Sequence, residues 1–151
     1  MRMKSLESIA VGLLAICGAA MSETPDVSYE VIYQTQNSPI TSQRLEVLRD
    51  AESFARAWRE LGGEEPPPAV DFERQMVVLA ATGERPNTCY RVEIGGIERT
   101  ASGLAVEVID VVPGEDCMCG MMIVHPALAA RLERHDGPVS FEVVSRARDC
   151  T

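Results

Sequence analysis

The residues best suited to metal chemistry lie within one short stretch, residues 117–125. The candidate ligands there are Cys117, Met118, Cys119, Met121, Met122 and His125. Thiolates and thioethers are the soft ligands that Cu(I) prefers, so a copper site built from Cys117, Cys119, Met121 and His125 is one hypothesis. If the stretch is a strand, alternation divides these ligands between its two faces. Disulfides and core methionines explain the same residues without a metal, and we therefore predict no cofactor.

The N-terminal residues predict export, which would place the cysteines in an oxidising compartment. Arg2 and Lys4 precede an apolar stretch, Ile9 to Cys17, and the small residues Gly18 to Ala20 follow it. This is the pattern of a signal peptide, and we assign residues 1–20 to it. Export would retain four cysteines, Cys89, Cys117, Cys119 and Cys150, an even number typical of disulfide bonding.

Three pairings of these four cysteines exist, and one of them joins Cys117 to Cys119. A bridge across a single intervening residue is strained, so that pairing is disfavoured. The other two join Cys89 either to Cys117 or to Cys119, and Cys150 to the cysteine that remains. The sequence does not choose between them.

Cys17 raises an alternative in which the chain carries a lipid. Leu14 to Cys17 approximates a lipoprotein signal, but Ile16 stands where the peptidase prefers a small residue. We therefore favour cleavage near Ala20. The uncharged run from Ser8 to Ser22 is shorter than the roughly 20 residues that span a bilayer. The expected location is periplasmic or secreted, with membrane contact only through a lipid on Cys17.

Charge and composition exclude several classes of function. The net charge of -9 and the lack of a Lys/Arg cluster argue against nucleic-acid binding. The two histidines, His125 and His135, fit no triad or zinc spacing, and acids such as Glu115 and Asp116 are typical of solvated turns. We therefore predict that the chain is not an enzyme and has no catalytic residues.

Hydrophobic periodicity predicts one β-rich domain over residues 28–151, after a flexible lead at 21–27. Alternating or apolar runs predict strands at 28–36, 43–49, 76–81, 90–94, 97–100, 104–112, 117–124 and 139–144. Pro126 to Arg134 is interpreted as a short helix that begins at a proline.

The clearest helix is predicted at about residues 50–62. Asp50 is a typical N-cap, Phe54, Trp58 and Leu61 form an apolar stripe, and Gly62 marks the end. Strands separated by turns, together with this helix, favour a mostly β (α+β) fold. We expect an antiparallel β-sandwich or open barrel with one packed α-helix.

The loop from Gly83 to Tyr90 is the candidate for partner binding. It lies between two predicted strands, Pro86 restricts its backbone, and Cys89 offers a covalent brace. A rigid polar loop loses little entropy on binding. The candidate contact residues are Arg85, Pro86, Asn87, Thr88 and Tyr90. The alternative is a purely structural hairpin connection.

The stretch that begins at Val70-Asp71-Phe72 and continues through residues 76–81, 83–90 and 91–94 resembles the PrcB C-terminal domain family. That resemblance implies an exported or lipid-anchored protein of the bacterial cell envelope, acting as a noncatalytic accessory or stability module. The expected partner is another envelope protein, with a protease as one candidate. The family usually has Thr-Gly-Gly-Tyr where this chain has Asn87-Thr88-Cys89-Tyr90.

Two alternatives remain beside this interpretation. The same loop is weakly similar to the Thr-Gly-Tyr loop of chagasin-type cysteine-protease inhibitors, which are Ig-like sandwiches, so a chagasin-like inhibitor is the first. A periplasmic copper-binding protein that uses the 117–125 stretch is the second.

Overall fold

In the computed structural model, residues 26–150 are described, and they form seven strands and one helix. The elements are β1 (Tyr29–Thr35), β2 (Gln43–Leu48), α1 (Ala51–Leu61), β3 (Gln75–Thr82), β4 (Arg91–Arg99), β5 (Leu104–Pro113), β6 (Ala127–Glu133) and β7 (Val139–Arg148). The predicted signal peptide, including Cys17, and residues 21–25 of the predicted lead lie outside the described residues. No helix within the described range is both long and apolar enough to cross a membrane.

The strands form two sheets that pack face to face. The first has the strand order β1-β6-β3-β2 and is antiparallel, and the second has the order β4-β5-β7. In the second sheet β4 is antiparallel to β5, whereas β7 runs parallel to it. One core cluster lies between the sheets and includes Val78, Val92, Val106 and Leu128. The predicted mostly β, α+β sandwich is confirmed.

Helix α1 makes a third layer on the outer face of the four-stranded sheet. Its stripe of Phe54, Trp58 and Leu61 packs against Val77 and Leu79 of β3. The two central strands of this sheet, β3 and β6, are therefore covered on both faces. That explains why β3 is a continuous apolar run and does not alternate.

The ends of α1 follow the predicted signals. The Asp50 carboxylate accepts a hydrogen bond from the backbone N–H of Ser53 at 2.8 Å, and this bond holds the pKa of Asp50 below its ordinary value. Gly62 follows the last turn at φ 80°, a left-handed conformation that favours glycine. The predicted helix is confirmed.

The helix predicted at Pro126 to Arg134 is wrong, because these residues form strand β6. The segment is rich in alanine and leucine, which favour helices in isolation. In the fold, β6 lies between β1 and β3 and has hydrogen-bonded neighbours on both sides. Ala127, Ala129 and Ala130 are fully buried, so tertiary packing overrides the local preference.

Two bulges alter the predicted strands. The register of β1 shifts between Val31 and Tyr33, so Tyr29 and Tyr33 lie on opposite faces, whereas unbroken alternation would place both on one face. The hydroxyl of Tyr29 donates to the Ile94 carbonyl across the sandwich, whereas the Tyr33 ring packs on Trp58. The other bulge, between Ile94 and Gly96, lets the strands predicted at 90–94 and 97–100 run on as the single strand β4.

The last two residues of the predicted lead, Asp26 and Val27, are described and contact the second sheet. Asp26 forms an isolated bridge with Glu98, and the buried Val27 donates its N–H to the Ile97 carbonyl at 2.8 Å. The folded domain therefore begins by residue 26.

Candidate functional site

Two crossover loops lie side by side at one end of the sandwich. The first crossover, residues 83–90, leaves β3 in the four-stranded sheet and enters β4 in the three-stranded sheet. The second crossover, residues 114–126, returns from β5 to β6. Because β3 and β4 belong to different sheets, the hairpin interpretation of residues 83–90 is wrong.

Backbone hydrogen bonds join the two crossovers at both ends of their contact. Arg85 and Val124 exchange N–H···O bonds of 2.8 and 2.9 Å. Thr88 donates its N–H to the Gly120 carbonyl at 3.1 Å, and the Gly120 N–H donates to Thr88 Oγ1 at 2.8 Å. Pro86 and Asn87 on one loop are therefore held alongside residues 121–123 on the other.

The strand predicted at residues 117–124 is wrong. Within residues 117–125, the β-bridges are two isolated ones, from Val124 to Arg85 and from His125 to Asn37. The segment has to travel from one sheet to the other and carries two cysteines that are bonded elsewhere, so it cannot follow a continuous strand partner. Its shape comes from the contacts with the first crossover.

Gln36, just beyond the end of β1, holds both crossovers to the first sheet. Its side-chain amide donates to the carbonyls of Thr88 and Tyr90, each at 2.8 Å. The backbone carbonyl of Gln36 accepts a hydrogen bond from the backbone N–H of His125 at 2.7 Å. Gln36 has no signal in the sequence, because an isolated glutamine at a strand end belongs to no motif.

Arg85 turns its guanidinium inward onto a buried acid. Arg85 Nη2 lies 2.7 Å from Asp110 Oδ2, and Nε donates to both carboxylate oxygens at 3.1 and 3.2 Å. Asp110 is only 7% exposed, and Nη1 of Arg85 donates to the Glu84 carbonyl. The sequence signal for this ion pair is Asp110 itself, the single acidic residue in the apolar run Val108 to Val112.

The remaining polar residues of the first crossover also bond within the molecule. Asn87 Oδ1 accepts the Cys89 N–H at 3.0 Å, which is a local turn bond. Thr88 bonds Gly120 through both its backbone and its hydroxyl. Tyr90 is half-buried, and Pro86 is exposed. Arg85, Asn87 and Thr88 therefore set the shape of the loop, and Pro86 is its open surface.

Two disulfides brace this end of the sandwich. Cys89 is bonded to Cys119, which ties the crossovers together, and Cys117 is bonded to Cys150 just after β7. Their Cα atoms are 5.5 and 5.1 Å apart, inside the usual range. The structure thus selects one of the two pairings that the sequence left open.

The methionines of the second crossover point into solvent, so their assignment to the core is wrong. Met118 is 99% exposed and Met121 is 91% exposed. Met122 and Ile123, the next residues, are each more than half exposed. We call these four residues, Met118, Met121, Met122 and Ile123, the apolar tip. The two disulfides hold the segment that carries the apolar tip, in place of the packing that large apolar side chains usually provide.

The four residues proposed as copper ligands are not all available while both disulfides are formed. Cys117 and Cys119 are both in disulfides and carry no thiolate, which leaves Met121 and His125. His125 Nε2 lies 3.8 Å from a Glu84 carboxylate oxygen. The sulfurs that cluster are those of Cys89, Cys117 and Cys150, all within 4.8 Å of one another.

The segment that contains the two crossovers is similar to a known family. The family model described as PrcB C-terminal matches residues 76–133, from the second residue of β3 to the end of β6. Over this segment the chain is similar to the PrcB C-terminal family. The match contains both crossovers, three of the four bonded cysteines and the apolar tip, and it confirms the resemblance seen in the sequence. Neither the comparison with curated proteins nor that with solved structures gave a match.

Proposed function

We propose that this chain is an exported, noncatalytic accessory protein of the bacterial envelope that binds a protein partner through the braced end of its sandwich. The PrcB C-terminal match supports an accessory role in a protease complex. The disulfides support a periplasmic or secreted location, where they persist. The exposure of the apolar tip is the observation that carries the proposal.

Residues 121–123 and Met118 are four exposed apolar side chains within six residues of the sequence. Contiguous apolar surface on a soluble protein marks interaction sites, and methionine adapts to irregular partner surfaces. Here the loop that carries Met118 and Met121 is held by two disulfides and by the bonds between Thr88 and Gly120. The loop is ordered before binding, so binding costs less conformational entropy.

The first crossover contributes to the same surface. Pro86 is exposed and lies alongside the apolar tip, because the backbone bonds of Arg85 and Thr88 bracket it against residues 121–123. We assign Arg85, Asn87 and Thr88 to positioning this surface, with Pro86 and the edge of Tyr90 as contacts. The proposed contact surface is therefore Pro86 together with the apolar tip.

The surroundings of the tip indicate the charge of the partner. Glu115 and Asp116 are exposed immediately before Cys117, and Asp149 is exposed next to Cys150. Acidic residues around an apolar centre favour a partner with a basic rim around an apolar pocket. A rim of this kind makes association faster at low salt than at high salt.

Serine replacement of two exposed methionines tests this proposal. We expect Met118→Ser/Met121→Ser to weaken binding to the partner recovered from envelope extract by at least about tenfold, because central apolar contacts dominate interfaces. The measurement is the dissociation constant for the purified partner on the immobilised, oxidised chain.

The matched control is Val31→Ser, which removes an exposed apolar side chain from β1. The double methionine variant should unfold at the wild-type denaturant concentration, since Met118 and Met121 are almost fully exposed. Equal affinity of wild type and the double methionine variant would exclude the tip as the contact surface. Inhibition of a papain-like protease by the wild-type chain would instead favour the inhibitor alternative.

A further inference from the structure

The two disulfides are close enough to exchange partners. The sulfurs of Cys89, Cys117 and Cys150 all lie within 4.8 Å of one another, although Cys89 belongs to a different disulfide from the other two. Cys119 Sγ is bonded directly to this cluster through Cys89. Thiol–disulfide exchange requires a thiolate to reach a disulfide sulfur, and here the approach needs only a small movement.

One of these cysteines is also an exposed residue. Cys150 follows the end of β7 and is exposed, whereas Cys89, Cys117 and Cys119 are half-buried. An external thiolate therefore reaches the Cys117–Cys150 disulfide most easily at Cys150. Attack there releases Cys117, the cysteine whose sulfur already lies beside Cys89.

We propose that the Cys117–Cys150 disulfide is a modification site for low-molecular-weight thiols, and that its opening at Cys150 rearranges the second disulfide. In the first step an external thiolate bonds to Cys150 Sγ and Cys117 leaves as a thiolate. In the second step Cys117 bonds to Cys89 Sγ and Cys119 leaves as a thiolate. In the third step Cys119 bonds to Cys150 Sγ and the external thiolate leaves.

Every step forms one S–S bond and breaks one, so the cycle needs no oxidant or reductant and regenerates the thiol. Its product is the pairing Cys89–Cys117 and Cys119–Cys150, the other alternative that the sequence allows. The rearrangement moves the brace on Cys89 by two residues along the second crossover. Met118 precedes the cysteine that is bonded to Cys89 in the original pairing and would follow it in the new one. The shape of the apolar tip would therefore change. This chemistry is independent of the proposed binding function and is tested without a partner.

Fragment mapping distinguishes the two pairings, because cleavage sites separate all four cysteines. Cyanogen bromide cuts after Met76, Met118 and Met121, and trypsin cuts after Arg91, Arg99 and Arg148. The four cysteines then fall in fragments 77–91, 100–118, 119–121 and 149–151. The probe is a mixture of reduced and oxidised glutathione at pH 8, and exchange is stopped by acid and alkylation of free thiols before digestion.

We expect two products from the oxidised wild-type chain. One is a glutathione adduct on fragment 149–151, and the other is a disulfide between fragments 77–91 and 100–118. Glutathione should open the Cys117–Cys150 bond at least about tenfold faster than it opens Cys89–Cys119 in the Cys117→Ser/Cys150→Ser variant, because Cys150 is the most exposed of the four cysteine residues. The Cys89→Ser/Cys119→Ser variant should form the Cys150 adduct and stop there, with Cys117 free.

Trp58, the single tryptophan, is buried and reports whether the chain stays folded during exchange. Exchange faster than the unfolding rate measured by Trp58 fluorescence supports a reaction of the native protein. Persistence of the original pairing alone, while the chain unfolded in guanidinium rearranges, would overturn the proposal. An adduct found first on Cys89 or Cys119, or rearrangement no faster than unfolding, would also overturn it.

Discussion

Replacing Arg85 with methionine is expected to lower the free energy of unfolding by about 3 kcal/mol, because it leaves the buried Asp110 carboxylate without its cation. Asp110 is 7% exposed, and the structure shows Arg85 as the cation on its carboxylate. Methionine retains the apolar stem of arginine, so the loss reports the charge and its hydrogen bonds. Urea denaturation followed by Trp58 fluorescence measures the change.

The opposite substitution provides the control. Asp110→Leu should cost less than Arg85→Met, because the guanidinium lies nearer the surface and can turn towards water. The double variant Arg85→Met/Asp110→Leu should be more stable than Arg85→Met alone, since an apolar pair replaces an unpaired buried charge. If Arg85→Met is as stable as wild type, the pair does not hold the first crossover.

Loss of either disulfide is expected to cost about 3 kcal/mol, and the two losses should be similar. The bridges join cysteines 30 and 33 residues apart, so each removes a similar loop-closure entropy from the unfolded chain. The variants are Cys89→Ser/Cys119→Ser and Cys117→Ser/Cys150→Ser, and denaturation of the oxidised proteins compares them with wild type.

Partner binding should separate the two disulfide variants even though their stabilities are close. Cys89–Cys119 joins the two crossovers directly, whereas Cys117–Cys150 ties the second crossover to the end of β7. We therefore expect the Cys89→Ser/Cys119→Ser variant to bind more weakly under conditions in which both variants are folded. Equal affinities would mean that the hydrogen bonds between Thr88 and Gly120 suffice to hold the surface.

Local patterns predicted those elements whose own residues determine them. Asp50, the Phe54-Trp58-Leu61 stripe and Gly62 specify α1 through capping and amphipathicity, and both are short-range effects. β7 follows from alternation, and its alternate residues Val139, Phe141 and Val143 pack on the core. The helix-covered β fold follows from these elements taken together.

Long-range pairing determined what the sequence could not predict. The residues of β6 have helix-favouring side chains, and only a place between β1 and β3 makes them a strand. The 83–90 loop resembles a hairpin connection because nothing local shows that its two strands belong to different sheets. The β1 bulge at Val31 likewise depends on its pairing with β6.

The candidate site was found in part. The cysteine count predicted disulfides, but their pairing depends on two crossovers meeting at one end of the sandwich. The first crossover was identified, whereas the roles of Arg85 and Asn87 in shaping it depend on Asp110 and on the turn at Cys89. The methionines were assigned to the core because apolar residues are usually buried, and their exposure marks them as a candidate contact surface.

Hydrogen–deuterium exchange of the oxidised chain, alone and with its purified partner, tests the location of the contact surface most directly. The proposed function predicts slower exchange on binding in residues 84–90 and 117–124, with little change in α1. Protection confined to an open sheet edge, such as β2 or β7, would contradict it. In that case the braced end of the sandwich would have a structural role, and the partner would bind by extending a sheet.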